Sequence, residues 1–136
     1  MGIAVPDLAA ARAAYEALGF QVSEEHSVEA ERVRTAFLPV GESHLELLEP
    51  TDADSVIARF LENRKGLHHI CVEVEDLAEA LEELKRRGVA LVDETPRIGA
   101  GGHQVAFVHP RAAAGVLLEL KQLASRESAL RDEVNE

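Results

Sequence analysis

A chain of 136 residues, 46% of them hydrophobic, is one compact domain's worth of sequence with ample material for a core. Its net charge of −11, from 25 acidic against 14 basic residues, repels phosphate backbones and argues against a nucleic-acid partner. A single cysteine, Cys71, excludes an internal disulfide framework and fits a reducing, cytoplasmic setting, and neither a secretory signal nor an apolar run of the ~18 residues that span a bilayer is present, so no membrane partner is expected.

The chain opens on "MGIAVPDL", where Ile3, Ala4 and Val5 read as the tail of a buried strand and Pro6-Asp7 as a helix entry. The helix that follows belongs to an internal repeat. "VPDLAAARAAYEALGF" (5–20) lies over "VEDLAEALEELKRRGV" (74–89) at an offset of 69, with six identities in sixteen positions. Asp7 and Asp76 stand where N-caps belong, and Gly19 and Gly88 where a left-handed C-cap is wanted. Leu8, Ala11, Tyr15 and Leu18 share one helical face, as do Leu77, Ala80, Leu81 and Leu84.

Three strand-like stretches follow each helix. In the first half these are "FQVSEEHSV" (20–28), "ERVRTAFLPV" (31–40) and "SHLELLEP" (43–50); in the second, "VALVDE" (89–94), "HQVAFVHP" (103–110) and "GVLLELKQ" (115–122), punctuated by the loops "TPRIGAGG" and "RAAAG". The expected fold is α+β: two tandem βαβββ modules, whose sheets would leave a concave cleft as the place for chemistry. Residues 1–123 form the domain, with module one at 1–50, a linker with a short helix at 51–66 and module two at 67–123; a helical tail at 124–136 is peripheral.

Candidate functional residues follow from strand alternation. In "LHHICVEV" (67–74), simple alternation puts Leu67, His69, Cys71 and Glu73 on one face. Glu46 and Glu119 each sit between leucines in an "LEL" triplet, equivalent in the two halves at an offset of 73. A carboxylate on an apolar strand is costly unless paired or metal-bound. "LEL" on a half-exposed strand is also plain alternation with the glutamate facing water, and a lone histidine such as His69 is also a common core residue. His26 and His44 read as surface or strand-edge residues, and Cys71 as a small packing residue. Arg64, Lys65, Arg97 and Lys121 are scattered basic residues that an anionic ligand could use. "GAGGH" (99–103) precedes a strand rather than a helix, so it is not a phosphate-cradling fingerprint.

Four segments, "GIAVPDL", "HLELLEP", "GLHHICVEVEDL" and "GAGGHQVAFVHPRAAAGVLLEL", together resemble the methylmalonyl-CoA epimerase branch of the vicinal oxygen chelate superfamily, which also holds glyoxalase I and the extradiol dioxygenases. The resemblance implies an isomerase acting on an acyl-CoA substrate, commonly a homodimer, with a divalent metal ion (Co, Zn, Mn or Ni) bound in the cleft. By match, Glu46, His69 and Glu119 fall on metal-ligand positions, and Glu119 also on an acid–base position. Thr35 falls where some relatives carry a second glutamate. The family's first histidine lies in a segment like "DHIGIAVPDL", and the repeat offset places the mate of His69 at that same position, immediately before Met1. Two readings follow: the coding start lies a few residues upstream, or the metal site departs from the family pattern. A first strand of about four residues favours the former. Alternatives on the same scaffold are a metal-free ligand-binding or resistance protein and a glyoxalase-like lyase.

Overall fold

The computed structural model describes residues 1–99 and 102–123. The expected tail helix at 124–136, and part of "GAGGH", lie outside the described residues. In chain order the elements are β1 (Gly2–Ala4), α1 (Leu8–Ala17), β2 (Glu24–Val28), β3 (Val33–Val40), β4 (Ser43–Pro50), α2 (Val56–Asn63), β5 (Gly66–Val74), α3 (Leu77–Arg86), β6 (Arg97–Ile98), β7 (Gln104–Val108) and β8 (Leu117–Gln122). A 3₁₀ turn at Pro110–Ala112 opens the expected "RAAAG" loop. Two compact units divide within β5, the first ending at His69 and the second beginning at Ile70. Among the described residues no helix is long and apolar enough to cross a membrane.

Each unit realises the βαβββ plan. In the first the strand order is β2-β3-β4-β1-β5, with β1 parallel to β4; in the second it is β5-β8-β7-β6. The module's opening strand thus lies beside its closing strand in both halves. The helix entries are built alike. Asp7 Oδ1 accepts from Ala10 N at 3.2 Å and Asp76 Oδ1 from Glu79 N at 3.0 Å, which satisfies one orphan donor of each first turn. A second donor is met from the module's last strand: Leu8 N donates to Glu49 Oε2 at 2.5 Å and Leu77 N to Gln122 Oε1 at 2.6 Å. Glu49 and Gln122 are themselves 73 positions apart, the "LEL" offset.

One face of each sheet is closed by its helix. Leu8 of α1 packs with Val5, Ala36, Leu38 and Leu47, while Leu77 and Leu81 of α3 pack with Ala106, Val108 and Leu120. The short helix α2 covers one end of the first unit's other face, where Ile57 meets Ala4, Val33 and Leu48. Truncating Leu81, which is 1% exposed, is expected to cost about 2–5 kcal/mol of unfolding free energy. Urea denaturation of Leu81→Ala checks it.

Two expectations are corrected. The stretch 89–94 is not a strand: only Leu91 bridges to Val108, and the edge strand is Arg97–Ile98, within the expected loop. The cause lies in Asp93. Its carboxylate accepts from Phe107 N at 2.8 Å, while Val92 N and Asp93 N both donate to Phe107 O. Both backbone groups of Phe107 are therefore taken up by Val92 and Asp93, and a regular ladder does not continue there. The second correction concerns β5. Ile3 pairs with Leu67 but Gly2 pairs with His69, so His68 is an extra residue, a β-bulge. Leu67 and His69 consequently face opposite sides, not the same one.

Candidate active site

Residues paired across a sheet share a face, and the registers align one transverse row through the first unit. Glu24 pairs with Phe37, Phe37 with Glu46, Glu46 with Gly2, and Gly2 with His69. The row lies on the face away from α1. Glu46 and His69 are therefore separated by one strand, β1, at a Cα spacing of about 10 Å. The only residue between them is a glycine. Both side chains are half-buried.

The surroundings of the row are aromatic. The His26 ring meets the Phe37 ring edge-on and the His44 ring meets it at a tilt, with centroids 5.8 and 5.3 Å away. Both histidines are exposed, and His26 lies on β2, the edge strand of the first unit, as expected. Glu24 Oε2 lies 3.1 Å from His26 Nε2 on the surface. In the neighbouring row Thr35 pairs with His26 and Leu48 and is 2% exposed. Its hydroxyl donates to the His26 carbonyl at 3.5 Å. A buried alcohol engaged in this way is no proton acceptor near neutral pH.

Beside the row, the bulge brings two imidazoles together, with the His68 and His69 Nδ1 atoms 2.9 Å apart. The His68 ring also meets Phe60 of α2 edge-on at 5.0 Å. Burial lowers the His68 pKa. Burial, reinforced by His68 and the chain's amino terminus, lowers that of His69 to about 4. His69 is thus a neutral imidazole at physiological pH, the form that binds a metal.

The second unit repeats the central pair. Phe107 of β7 pairs with Glu119 of β8 just as Phe37 pairs with Glu46. The adjacent row runs Arg97–Val105–Lys121 across β6, β7 and β8. The Arg97 guanidinium lies 5.3 Å from the Phe107 ring centroid and 3.3 Å from Asp93 Oδ1. Two of the scattered basic residues thus stand on the Glu119 face; Arg64 instead lies over Phe60, 5.9 Å from its centroid. Cys71 is held at a pKa of about 11 by burial and by the nearby Glu119 carboxylate, so it is a packing thiol and not a nucleophile.

The donors suit a divalent cation in kind: a neutral imidazole and a carboxylate share one row with no side chain between them. Of the three expected ligands, the registers bring Glu46 and His69 together, while Glu119 belongs to the second unit. Among the described residues, no group of three His, Cys, Asp or Glu side chains gathers about one point. The phenylalanines escaped the sequence reading, although "AFLP" and "AFVHP" carry the repeat at Phe37 and Phe107 and could have revealed them.

Known proteins resemble this chain over most of its length. Residues 1–107 match the model of the Glyoxalase/Bleomycin resistance protein/Dioxygenase superfamily. The human mitochondrial methylmalonyl-CoA epimerase is 43% identical over 125 residues, covering 90% of this chain and 71% of that protein. The chain belongs to the methylmalonyl-CoA epimerase branch of this superfamily. The Mycobacterium tuberculosis methylmalonyl-CoA epimerase structure is similar at a TM-score of 0.79 and 38% identity, covering 94% of this chain and 88% of that one. A methylmalonyl-CoA epimerase solved with methylmalonyl-CoA and NH4+ aligns at a TM-score of 0.78 and 34% identity, over 91% of this chain and 92% of that one.

Proposed function

We infer that this protein is an isomerase that interconverts the two C2 epimers of methylmalonyl-CoA. The observation that carries the reading is kinship along almost the whole chain with epimerases, one of which holds methylmalonyl-CoA in its structure. A homodimer in the cytoplasm is the setting this reading takes.

The chemical task is to remove a proton from a carbon flanked by a thioester and a carboxylate, then return it to the other face. Glu119 is the acid–base group of this reading. Its cross-strand partner is Phe107, and the residue is half-buried, which limits the water around it. Such a site favours proton exchange with carbon over proton loss to solvent. Glu46 and His69, and in the second unit Glu119, are the residues that would be donors to a divalent cation, which would stabilise negative charge developing on oxygen. Thr35 takes no part in proton transfer, and in this reading Glu46 is one candidate for the second face.

The Arg97–Val105–Lys121 row gives the second unit's face two positive groups in a chain of net charge −11. In this reading they meet the anionic groups of the acyl-CoA. Arg97→Ala is expected to raise KM about three- to tenfold, equivalent to ~1 kcal/mol for a half-exposed charge, and to leave kcat nearly unchanged. Steady-state kinetics at two ionic strengths checks it, since the loss should shrink as salt rises.

Deuterium incorporation at C2 of methylmalonyl-CoA in D2O, followed by mass spectrometry, tests the function itself. Catalysed exchange together with epimerisation is the expected result. Tight ligand binding with no exchange would instead identify a binding protein on the same scaffold.

A further inference from the structure

Gly2 is unlike the chain's turn and cap glycines. It is absent from the positive-φ positions, which include Gly19, Gly41 and Gly88, so its backbone does not call for glycine. The demand is for room. A β-carbon on residue 2 would lie 2.3 Å from His69 Cε1, 2.6 Å from Nδ1 and 2.9 Å from Nε2. Ordinary contact begins near 3.4 Å, so the Nδ1–Cε1–Nε2 edge of the imidazole occupies the space that any side chain would fill. On the far side of Gly2 in the same row stands Glu46.

Two further features hold the ring there. The bulge at His68 moves His69 into register with Gly2 rather than Ile3. The His68 ring, 5.2 Å from the His69 ring centroid and at right angles to it, stands beside it on the same strand. A side chain at position 2 would displace the imidazole by a sizeable fraction of an ångström or more. That exceeds the ~0.2 Å tolerance of a metal–ligand distance.

We propose that Gly2 is a positioning residue for His69: its bare Cα is the floor across which the imidazole is laid toward Glu46, so that this pair of donors is preformed. The proposal rests on the reading of Glu46 and His69 as metal-side residues. Gly2 itself touches neither metal nor substrate in this account.

The test is a double-mutant cycle on the metal-free protein, combined with cobalt(II) titration. Gly2→Ala is expected to lower the thermal midpoint in the wild-type background. In the His69→Ala background, where the ring is gone, the same change should be neutral or stabilising, because alanine is favoured over glycine in a strand. Cobalt(II) affinity, read by absorption spectroscopy, should fall at least tenfold in Gly2→Ala while far-UV circular dichroism stays native. An equal loss of thermal midpoint in both backgrounds, or unaltered cobalt binding by a folded Gly2→Ala protein, overturns the proposal. Failure of Gly2→Ala to fold supports it only if Gly2→Ala/His69→Ala folds, and overturns it otherwise. A wild-type protein that binds no cobalt defeats the metal reading instead, and the metal-free cycle still decides whether Gly2 supports the His69 ring.

Discussion

Glu119→Gln is expected to reduce epimerisation of methylmalonyl-CoA by about 10²–10⁴-fold, the usual worth of a positioned acid–base group. The change keeps the size and the hydrogen-bonding outline of the side chain, so the β7–β8 pair with Phe107 should persist. It removes the capacity to accept a proton from carbon. Exchange at C2 in D2O should fall in parallel with epimerisation, because both need that first transfer. Metal content, measured on the same samples, separates the two duties assigned to Glu119. Low turnover at wild-type metal loading assigns the loss to proton transfer, whereas low turnover with low loading assigns it to cation binding. Full turnover at full loading removes Glu119 from the mechanism.

His69→Ala is expected to weaken binding of a transition-metal ion by at least ~100-fold, since loss of even an outer supporting partner typically costs 10–100-fold. Activity should then fall to background, with the fold kept. The side chain is only half-buried, and its removal unburdens Gly2 rather than opening a void in either helix-covered core. Equilibrium dialysis followed by elemental analysis, beside a thermal melt, checks both parts. Retained stoichiometric metal in a folded His69→Ala protein would exclude His69 as a ligand. Removing the metal from the wild-type protein with a chelator should reproduce the same loss of activity, reversibly.

What could be read from the sequence was whatever the repeat states twice. The helices, their aspartate caps and the "LEL" strands recur at steady offsets, so a local signal seen in one half is checked by the other. The structure extends that duplication to Glu49 and Gln122, which cap their module's helix from its last strand. Features made once, by long-range pairing, were not legible. The bulge at His68 exists because β1 and β5 meet in a particular register, and it breaks the alternation that put Leu67 beside His69. The stretch 89–94 has the composition of a strand but is diverted by the Asp93 carboxylate, whose partner Phe107 lies fourteen residues away. Gly2 gave no signal as a site residue, since its reason lies in a ring sixty-seven positions downstream.

The Phe–Glu pair, built identically in both modules, is dressed differently in each. Around Phe37 stand the imidazoles of His26 and His44; on Phe107 lies the guanidinium of Arg97, with Lys121 one row away. Duplication alone would give the two pairs one chemistry, and their neighbours undo that sameness. An anionic group brought to Phe107 and Glu119 would meet a guanidinium and an ammonium, whereas the same group at Phe37 and Glu46 would meet two imidazoles.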